Sequence, residues 1–221
     1  MIERRAGVVI GLLVLANLAI GALGLWQLPP DHLVAIHFDL AGKANGWARP
    51  TVAFLVNPAV AAFIWGLWFL LPRITPRGEN LRRSAGAYGM VFVAAALVVL
   101  AIQGVMVASA LGAPVQVASA SPAIIGVMFV VIGNVLPKLR WNYVVGIRTP
   151  WTLADERVWD KTHRFGGWVM VICGLIMVLG ALVPPFGPKP GLVAGVIGAG
   201  AFLTFGKSYL LWREIQGKGH A

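Results

Sequence analysis

Six apolar stretches dominate this 221-residue sequence, and each is close to the length that crosses a lipid bilayer as an α-helix. The hydrocarbon core takes about 20 helical residues to span. With 58% hydrophobic and 12% charged residues, the composition is that of a membrane protein rather than a water-soluble domain. The sequence therefore predicts an all-α membrane protein with six transmembrane helices, at residues 6–26, 52–71, 85–111, 118–136, 168–183 and 191–212.

The positive charges divide unevenly between alternate connections. Of the 18 lysines and arginines, Lys43, Arg49 and Lys189 fall on one predicted side, and the others flank the spans on the opposite side. Cytoplasmic connections of membrane proteins are enriched in lysine and arginine. The pattern predicts both termini in the cytoplasm and a multi-pass protein of the cell membrane. The net charge of +10 needs no direct nucleic-acid partner, since such charges also attract anionic lipid headgroups.

Few polar side chains fall within the predicted spans. Pro58 frees a main-chain carbonyl, and the neighbouring Asn57 is expected to satisfy it. No aspartate or glutamate lies in mid-span, which counts against an ion-coupled transporter. The single cysteine, Cys173, predicts a packing residue, and nothing in the sequence indicates a cofactor. Hydrogen bonds between helices are available from Asn17, Asn57, Gln103 and Asn134.

Residues 29–50 form the first outside connection, "PPDHLVAIHFDLAGKANGWARP". Their alternation of apolar and polar side chains predicts a short extracytoplasmic strand that caps the bundle. Trp47 is placed to lie at the headgroup level. The apolar positions of the strand are Val34, Ile36, Phe38 and Leu40, and the turn signals are Gly42, Asn45 and Gly46.

Three side chains of this connection raise the question of a metal site. His37 and Asp39 share one face of the predicted strand, and His32 is close in sequence. Two imidazoles and a carboxylate are ligands that zinc accepts. The spacing is not diagnostic, however, and a hydrogen-bonded polar strand face is the preferred interpretation.

Residues 137–167 form a long cytoplasmic connection that contains "WNYVVGIRTPWTLADERVWDKTHRFGG". Trp141 and Tyr143 are expected at the membrane interface within an ordered, extended loop. Thr152, with Asp155 three residues later, predicts a capped amphipathic helix over residues 153–165 that lies in the interface. Gly166 and Gly167 would then turn the chain into the membrane. The alternative is a positively charged connector that only fixes topology. The predicted polar face carries Glu156, Arg157, Asp160, Lys161 and Arg164, and the apolar face Ala154, Val158, Trp159, Thr162 and Phe165.

Two quoted segments resemble a known family. Residues 133–167, "GNVLPKLRWNYVVGIRTPWTLADERVWDKTHRFGG", resemble the signature of the SdpI family of bacterial integral membrane proteins, which is named for immunity against a sporulation-delaying toxin. The segment "IHFDLAGKANGWARP" is similar to a domain of unknown function that commonly forms the N-terminal half of these proteins. We therefore expect an N-terminal three-span half at residues 1–111 and an SdpI-like three-span half at residues 112–221.

The resemblance implies an immunity and receptor function. Such a protein protects the membrane against a secreted toxic peptide and, with toxin bound, recruits a winged-helix repressor to the membrane. The implied toxin-facing residues outside are His37, Asp39, Gly46 and Trp47. The implied partner-facing or motif residues inside are Asn142, Tyr143, Arg148, Thr149, Pro150, Trp151, Thr152, Arg157, Trp159, Asp160, Lys161 and His163.

Three classes of function stay open at this point. The first is an immunity protein or receptor whose partners are membrane lipids, a peptide toxin and a repressor. The second is a transporter or permeability factor for a small or lipid-like molecule. The third is a membrane hydrolase built on His32, His37 and Asp39 or on polar residues of 142–163. Since no serine or cysteine is paired with a base in the sequence, we expect no enzyme. The sequence leaves the oligomeric state open.

Overall fold

The computed structural model describes residues 2–39, 43–183 and 190–218. Within these ranges, six helices are long and apolar enough to cross a membrane, as predicted. An even number of crossings places both ends of the chain on one side. Which side is cytoplasmic remains the prediction of the charge pattern, in which Lys189 lies outside the described residues. The long helices are α1 (Ile2–Gln27), α2 (Pro50–Ile74), α4 (Ala85–Ala110), α5 (Val117–Val135), α7 (Glu156–Leu182) and α8 (Pro190–Lys218).

Shorter elements lie at the two ends of the bundle. Strands β1 (Val34–Phe38) and β2 (Ala44–Ala48) form an antiparallel pair between α1 and α2. Helix α3 (Gly78–Arg83) follows α2, a 3₁₀ turn (Leu136–Lys138) follows α5, and helix α6 (Pro150–Ala154) precedes α7. We call residues 139–155, between the 3₁₀ turn and α7, the motif loop.

The long helices pack in two groups. Helices α1, α2 and α4 contact one another, α7 packs against both α5 and α8, and α4 against α5 joins the groups. The division at residue 111 itself stays a prediction. The largest cluster of buried apolar side chains draws on both groups, because Ile10, Trp68 and Leu81 lie in it with Leu139 and Trp159. The motif loop thus closes the core at its own end of the bundle.

Two reciprocal glycine pairs bring α5 and α7 together. A Cβ atom on Gly133 would lie 2.6 Å from the carbonyl oxygen of Gly167, and one on Gly167 would lie 2.7 Å from that of Gly133. Gly126 and Gly174 face each other in the same way, at 2.7 and 2.5 Å. Within a membrane, small residues at a helix interface allow the backbones to approach closely. The antiparallel contact of α5 with α7 rests on these four glycines.

Gln103, rather than Asn57, satisfies the carbonyl that Pro58 frees. The Gln103 side-chain amide donates to the carbonyl oxygen of Phe54 at 3.1 Å, and Asn57 donates to Gln103 Oε1 at 2.9 Å. The prediction that Asn57 satisfies this carbonyl was therefore wrong, because Asn57 donates to Gln103 instead. A Cβ atom on Gly21 would lie 2.9 Å from Gln103 Nε2, so the glycine in α1 leaves room for this link. Bonds of this kind fix α2 to α4 where no water is available.

The outside connection forms a hairpin rather than a single strand. Strand β1 confirms the predicted strand, but Asn45 and Gly46, predicted as turn residues, lie in β2. The sequence "ANGWA" has no apolar alternation, so β2 gave no strand pattern. Leu40 and Gly42 lie outside the described residues. Val34 is buried against α2 and α4, which anchors the hairpin to the bundle.

The separate interfacial helix over residues 153–165 was wrong. Thr149, not Thr152, caps the short helix α6, and Asp155 caps α7. Helix α7 runs without a break from Glu156 through Gly166 and Gly167 to Leu182. These two glycines do not turn the chain, because both are buried where α7 meets other segments: Gly166 against Ile147 and Gly167 against Gly133. The charged face belongs to the first turns of a spanning helix.

Candidate functional site

Asn142 organises the start of the motif loop. Its side chain is fully buried and makes four hydrogen bonds to the main chain. The amide group donates to the carbonyls of Arg140 and Val145, at 2.8 and 3.0 Å, and Oδ1 accepts from the N–H groups of Val144 and Val145 at 2.8 Å. Asparagine carries both donors and acceptors, which aspartate and leucine do not. The side chain therefore replaces the regular secondary structure that the loop lacks.

His163 ties the loop to α7. Its Nε2 accepts a hydrogen bond from the N–H of Ile147 at 3.0 Å, and its Nδ1 lies 2.9 Å from the carbonyl oxygen of Trp159. Nδ1 must therefore carry the proton and donate it, so the ring is the neutral Nδ1–H tautomer. The imidazole stacks on the Trp159 indole at a centroid distance of 3.8 Å. Gly146, with φ of +129°, brings the loop this close, because a Cβ atom there would fall on His163.

A threonine pair closes the second part of the loop. The Thr149 hydroxyl oxygen accepts from the N–H of Thr152 at 3.2 Å, and the Thr152 hydroxyl oxygen accepts from the N–H of Thr149 at 2.9 Å. Thr152 also donates its hydroxyl to the carbonyl of Ile147 at 2.8 Å. This reciprocal capping box starts α6, with Pro150 at its first turn. Both threonines are buried, so they hold structure and offer no surface.

Helix α3, which follows α2, and the residue before it reach the motif loop. The Arg77 guanidinium lies over the Trp141 ring at 3.2 Å and near the Tyr143 ring at 4.5 Å. Asn80 donates to the carbonyl of Trp141 at 2.8 Å. An arginine on aromatic faces is a favourable electrostatic contact. The predicted interfacial aromatics thus join the two groups of helices at this end.

A set of charged side chains stays on the surface beside the loop. Arg157, Asp160, Lys161 and Arg164, which we call the charged face, are exposed on the first turns of α7. Arg157 pairs with the Asp155 carboxylate at 2.8 Å. This hydrogen bond to the guanidinium is the main reason that the pKa of Asp155 lies below its ordinary value. The charged face is rigid at its base, because Asp155 also caps α7 through the N–H of Arg157.

A cavity of about 320 Å³ lies beneath the loop, between α5, α7 and α8. Arg148 and Thr149 line its loop side, and Cys173 lies among the residues that line it from α7. The thiol of Cys173 is directed to the carbonyl of Val196 at 3.5 Å, which supports its prediction as a packing residue. The remaining lining is mainly apolar, so the cavity suits an apolar group rather than an ion.

Comparison with known proteins finds a family that this region resembles. Residues 138–207 match the model described as the SdpI/YfhL protein family. The matched segment comprises 70 of the 221 residues, so the chain is similar to this family over about a third of its length. A second match is to "Immunity protein SdpI" of Bacillus subtilis (strain 168), at 40% identity over 55 residues. The aligned part is 25% of this chain and 27% of that protein, so the chain matches about a quarter of the relative's length. No solved structure matches.

The residues predicted to face a cytoplasmic partner fall into a buried set and an exposed set. Asn142, Thr149, Thr152, Trp159 and His163 are buried and bind main-chain groups or one another. The half-buried Trp151 packs against Phe205 and Tyr209 of α8. Only the second set is available to a partner. It comprises Tyr143, Arg148, Pro150, Arg157, Asp160 and Lys161.

At the other end of the bundle the predicted outside residues lie together on the hairpin. His37 Nδ1 is 2.5 Å from Asn45 Oδ1, and Asp39 accepts from the N–H of Lys43 at 2.9 Å. Gly46 pairs with His37 across the strands, and Trp47 is 54% exposed. His32 is also exposed. Across residues 2–39, 43–183 and 190–218, no three His, Cys, Asp or Glu side chains are grouped as a metal would need.

Sequence reasoning missed several residues that hold the motif loop in place. Arg77 and Asn80 lie 60 or more residues before their partners, so no local pattern points to them. Leu139 was missed because its contribution is a main-chain carbonyl, which accepts from the Trp159 indole at 2.8 Å. Gly146 carried a signal, since a glycine within an ordered loop often marks a positive φ.

Proposed function

We propose that this protein is a membrane immunity protein that protects its cell against a secreted toxic peptide. The observation that carries the proposal is the 40% identity, over 55 residues, with a protein named for immunity. The six candidate spans place the chain where a membrane-directed peptide would act. The hairpin around His37 is then the toxin-facing surface outside.

We further propose that the charged face receives a cytoplasmic partner, a winged-helix repressor. Support comes from the contrast between buried and exposed side chains on α7. Val158, Trp159 and Thr162 are fully buried, whereas Arg157, Asp160 and Lys161 are exposed beside them. A surface with both signs of charge on a rigid helix suits reversible docking of a charged protein.

No observation favours a hydrolase or a transporter over this function. Both ring nitrogens of His163 are engaged with main-chain groups, so this ring has no free basic nitrogen for substrate. His37 pairs with the side-chain amide of Asn45 on an exposed strand, and an amide is not a nucleophile. Gln103 and Asn57 bind each other and a carbonyl, which gives them a structural task.

Survival in the presence of toxin tests immunity. Bacillus subtilis cells that lack their own immunity protein are given this chain and exposed to the toxic peptide. We expect growth to be restored, and His37→Ala to lower resistance at an unchanged amount of protein in the membrane. His32→Ala is the matched control, because it alters an exposed histidine of the same segment. Killing of cells that contain correctly inserted wild-type protein would contradict immunity.

Crosslinking tests the cytoplasmic partner. A photoreactive residue is placed at Arg157 in one variant and, as a control, at the exposed Arg140 in another. We expect capture of a DNA-binding repressor from position 157 only, and loss of the capture after Lys161→Glu. Crosslinks to lipid alone at position 157, at normal expression, would exclude docking at the charged face and leave immunity itself untouched.

A further inference from the structure

A wide groove lies outside the SdpI/YfhL segment. A cavity of about 840 Å³ runs between α1 and α2, with α3 and the start of α4 at one end. Two tryptophans form much of its wall. Trp65 donates its indole N–H to the carbonyl of Gly7 at 2.9 Å, and Trp68 lies where a Cβ atom on Gly7 would come within 2.9 Å. Because Gly7 has no side chain, both tryptophans pack close to the α1 backbone at the floor of the groove.

The groove is open towards the lipid. Val8, Leu12 and Leu15 line it from α1, and each leaves about 60% of its side chain exposed. On α2, Phe69 lines it and is 42% exposed. These side chains lie on spanning helices, so the space beside them within a membrane is filled by acyl chains.

Positive charge is concentrated at one end of the groove. Arg4, Arg73 and Arg82 line it, and its described lining includes no carboxylate. Arg82 also binds Glu79 at 3.4 Å, and Arg73 donates to the carbonyl of Phe69, so both guanidinium groups are held near the mouth. Arginine presents several N–H donors in a geometry that suits phosphate.

The length of the groove fits one membrane leaflet. From Arg4 to Leu15 the α1 wall rises about 16 Å at 1.5 Å per residue. The hydrocarbon core of a bilayer is about 30 Å thick, so half of it is about 15 Å. The arginines lie at the end of α1 that the charge pattern predicts to be cytoplasmic, at headgroup level. Basic sites between spanning helices on this side are known to take anionic lipid headgroups.

We propose that the groove between α1 and α2 is a binding site for one anionic phospholipid of the cytoplasmic leaflet. The phosphate headgroup binds Arg4, Arg73 and Arg82, and an acyl chain lies along Val8, Leu12 and Leu15 against the two tryptophans. The site is independent of the proposed immunity function and of the charged face.

Native mass spectrometry of the full chain in detergent tests the site. The probes are phosphatidylglycerol, which is anionic, and phosphatidylcholine, which has the same phosphate but no net charge. We expect tighter retention of phosphatidylglycerol. Arg4→Gln with Arg73→Gln should weaken it by about 10- to 30-fold, since each basic residue at a membrane surface contributes modestly to anionic lipid binding. The control, Arg140→Gln with Arg213→Gln, removes two exposed arginines outside the groove and should leave the affinity unchanged.

A second variant tests the apolar part. Val8→Trp adds bulk at a position on α1 that is 61% exposed, and it should exclude the acyl chain. Equal retention of both lipids, an unchanged affinity in the arginine variant, or an unchanged affinity in Val8→Trp would each overturn the proposal. Weaker binding of phosphatidylglycerol by the control variant would do the same, because the affinity would then follow the total charge of the protein rather than the arginines of the groove.

Discussion

The polar side chains in and against the motif loop bind mainly to the main chain rather than to each other. Asn142 makes four such bonds and His163 two, and the indoles of Trp141 and Trp159 donate to the carbonyls of Thr152 and Leu139. Removal of the Asn142 or the His163 side chain leaves several main-chain groups unpaired at once. The free-energy cost at these residues should therefore exceed that of an ordinary lost hydrogen bond.

Asn142→Ala should lower the free energy of unfolding by about 3 kcal/mol, because the N–H groups of Val144 and Val145 lose their acceptor in a buried place. Thermal unfolding in detergent measures the change. Asn134→Ala is the control, since the exposed Asn134 makes one bond, to the carbonyl of Val130 within its own helix. Equal losses in the two variants would contradict the special place of Asn142.

Gly146→Ala should be among the most damaging single-atom additions in the chain. Position 146 combines φ of +129°, which L-residues rarely adopt, with direct contact to His163. We expect faster hydrogen exchange at the N–H of Ile147, because the bond to His163 lengthens. Gly104→Ala adds the same atom in a helix with no neighbour within 4 Å and should leave the exchange unchanged. Normal protection in Gly146→Ala would show that the loop accommodates the methyl group.

At the scale of elements, helix α7 joins the charged face to the membrane interior without a hinge. Its first turns carry the exposed charges, and its middle carries Gly167 and Gly174 against α5. A displacement of the charged face therefore moves the α5 contact as well. The start of the helix depends on Asp155, and its packing depends on the two glycine pairs.

Asp155→Ala should lower the free energy of unfolding by about 1 kcal/mol through loss of the cap on α7. The lowered pKa adds a dependence on pH. Because the folded pKa lies below the unfolded value, the stabilisation is complete above about pH 4 and is lost as the pH falls through the folded pKa. Melting temperatures at pH 7 and at about pH 3 measure it. In Asp155→Asn, which keeps a capping side chain, the difference between the two pH values should be smaller than in the wild type, and an equal difference would assign the effect to other carboxylates.

Gly174→Leu should separate α5 from α7 and destabilise the bundle, since even a Cβ atom would lie 2.5 Å from the carbonyl oxygen of Gly126. Aggregation on heating, followed by size-exclusion chromatography, reports the loss. Gly198→Leu on α8 adds the same side chain where nothing lies within 4 Å and should behave as wild type. A stable Gly174→Leu variant would mean that the helices can part without loss of fold.

The elements show how far the sequence predicts the structure. Apolar length predicts the spans, because a helix in lipid must satisfy its own main chain. The predicted turn at Gly166 and Gly167 was wrong. Two adjacent glycines are compatible both with a turn and with a close contact between helices, and the sequence alone does not distinguish them. The cap at Thr149 was missed because its partner is Thr152 rather than an acidic side chain. Gln103 binds a carbonyl of α2, which is remote in sequence. The spacing of apolar residues along one helix contains no information on such a contact with another helix.

At the scale of the whole molecule, the hairpin and the motif loop lie at opposite ends of the bundle. Val34 of the hairpin packs with Phe54 near the start of α2, whereas the loop packs with Trp68 near the end of the same helix and with Leu81 of α3. Any communication between an outside ligand and the charged face must therefore pass along the helices. The orientation in the membrane decides which of the two ends faces the outside.

Labelling of single cysteines measures the orientation. In a Cys173→Ser background, Trp47→Cys and Lys161→Cys place a thiol on the hairpin and on the charged face, and both positions are exposed. A membrane-impermeant maleimide should label the first variant in intact cells and the second only after permeabilisation, as the charge distribution predicts. The reverse result would place the charged face outside and remove the cytoplasmic repressor from consideration.

The shared core at the motif-loop end also has a consequence for synthesis. Ile10 and Trp68 enter the membrane early, and Leu81 follows in α3, but their partners Leu139 and Trp159 leave the ribosome only many residues later. Until then the first three spans have an unfilled apolar surface at the interface. The early spans therefore stay exposed until the motif loop and α7 have been synthesised. A pause in translation after residue 111 would lengthen this exposure to membrane proteases and insertion factors.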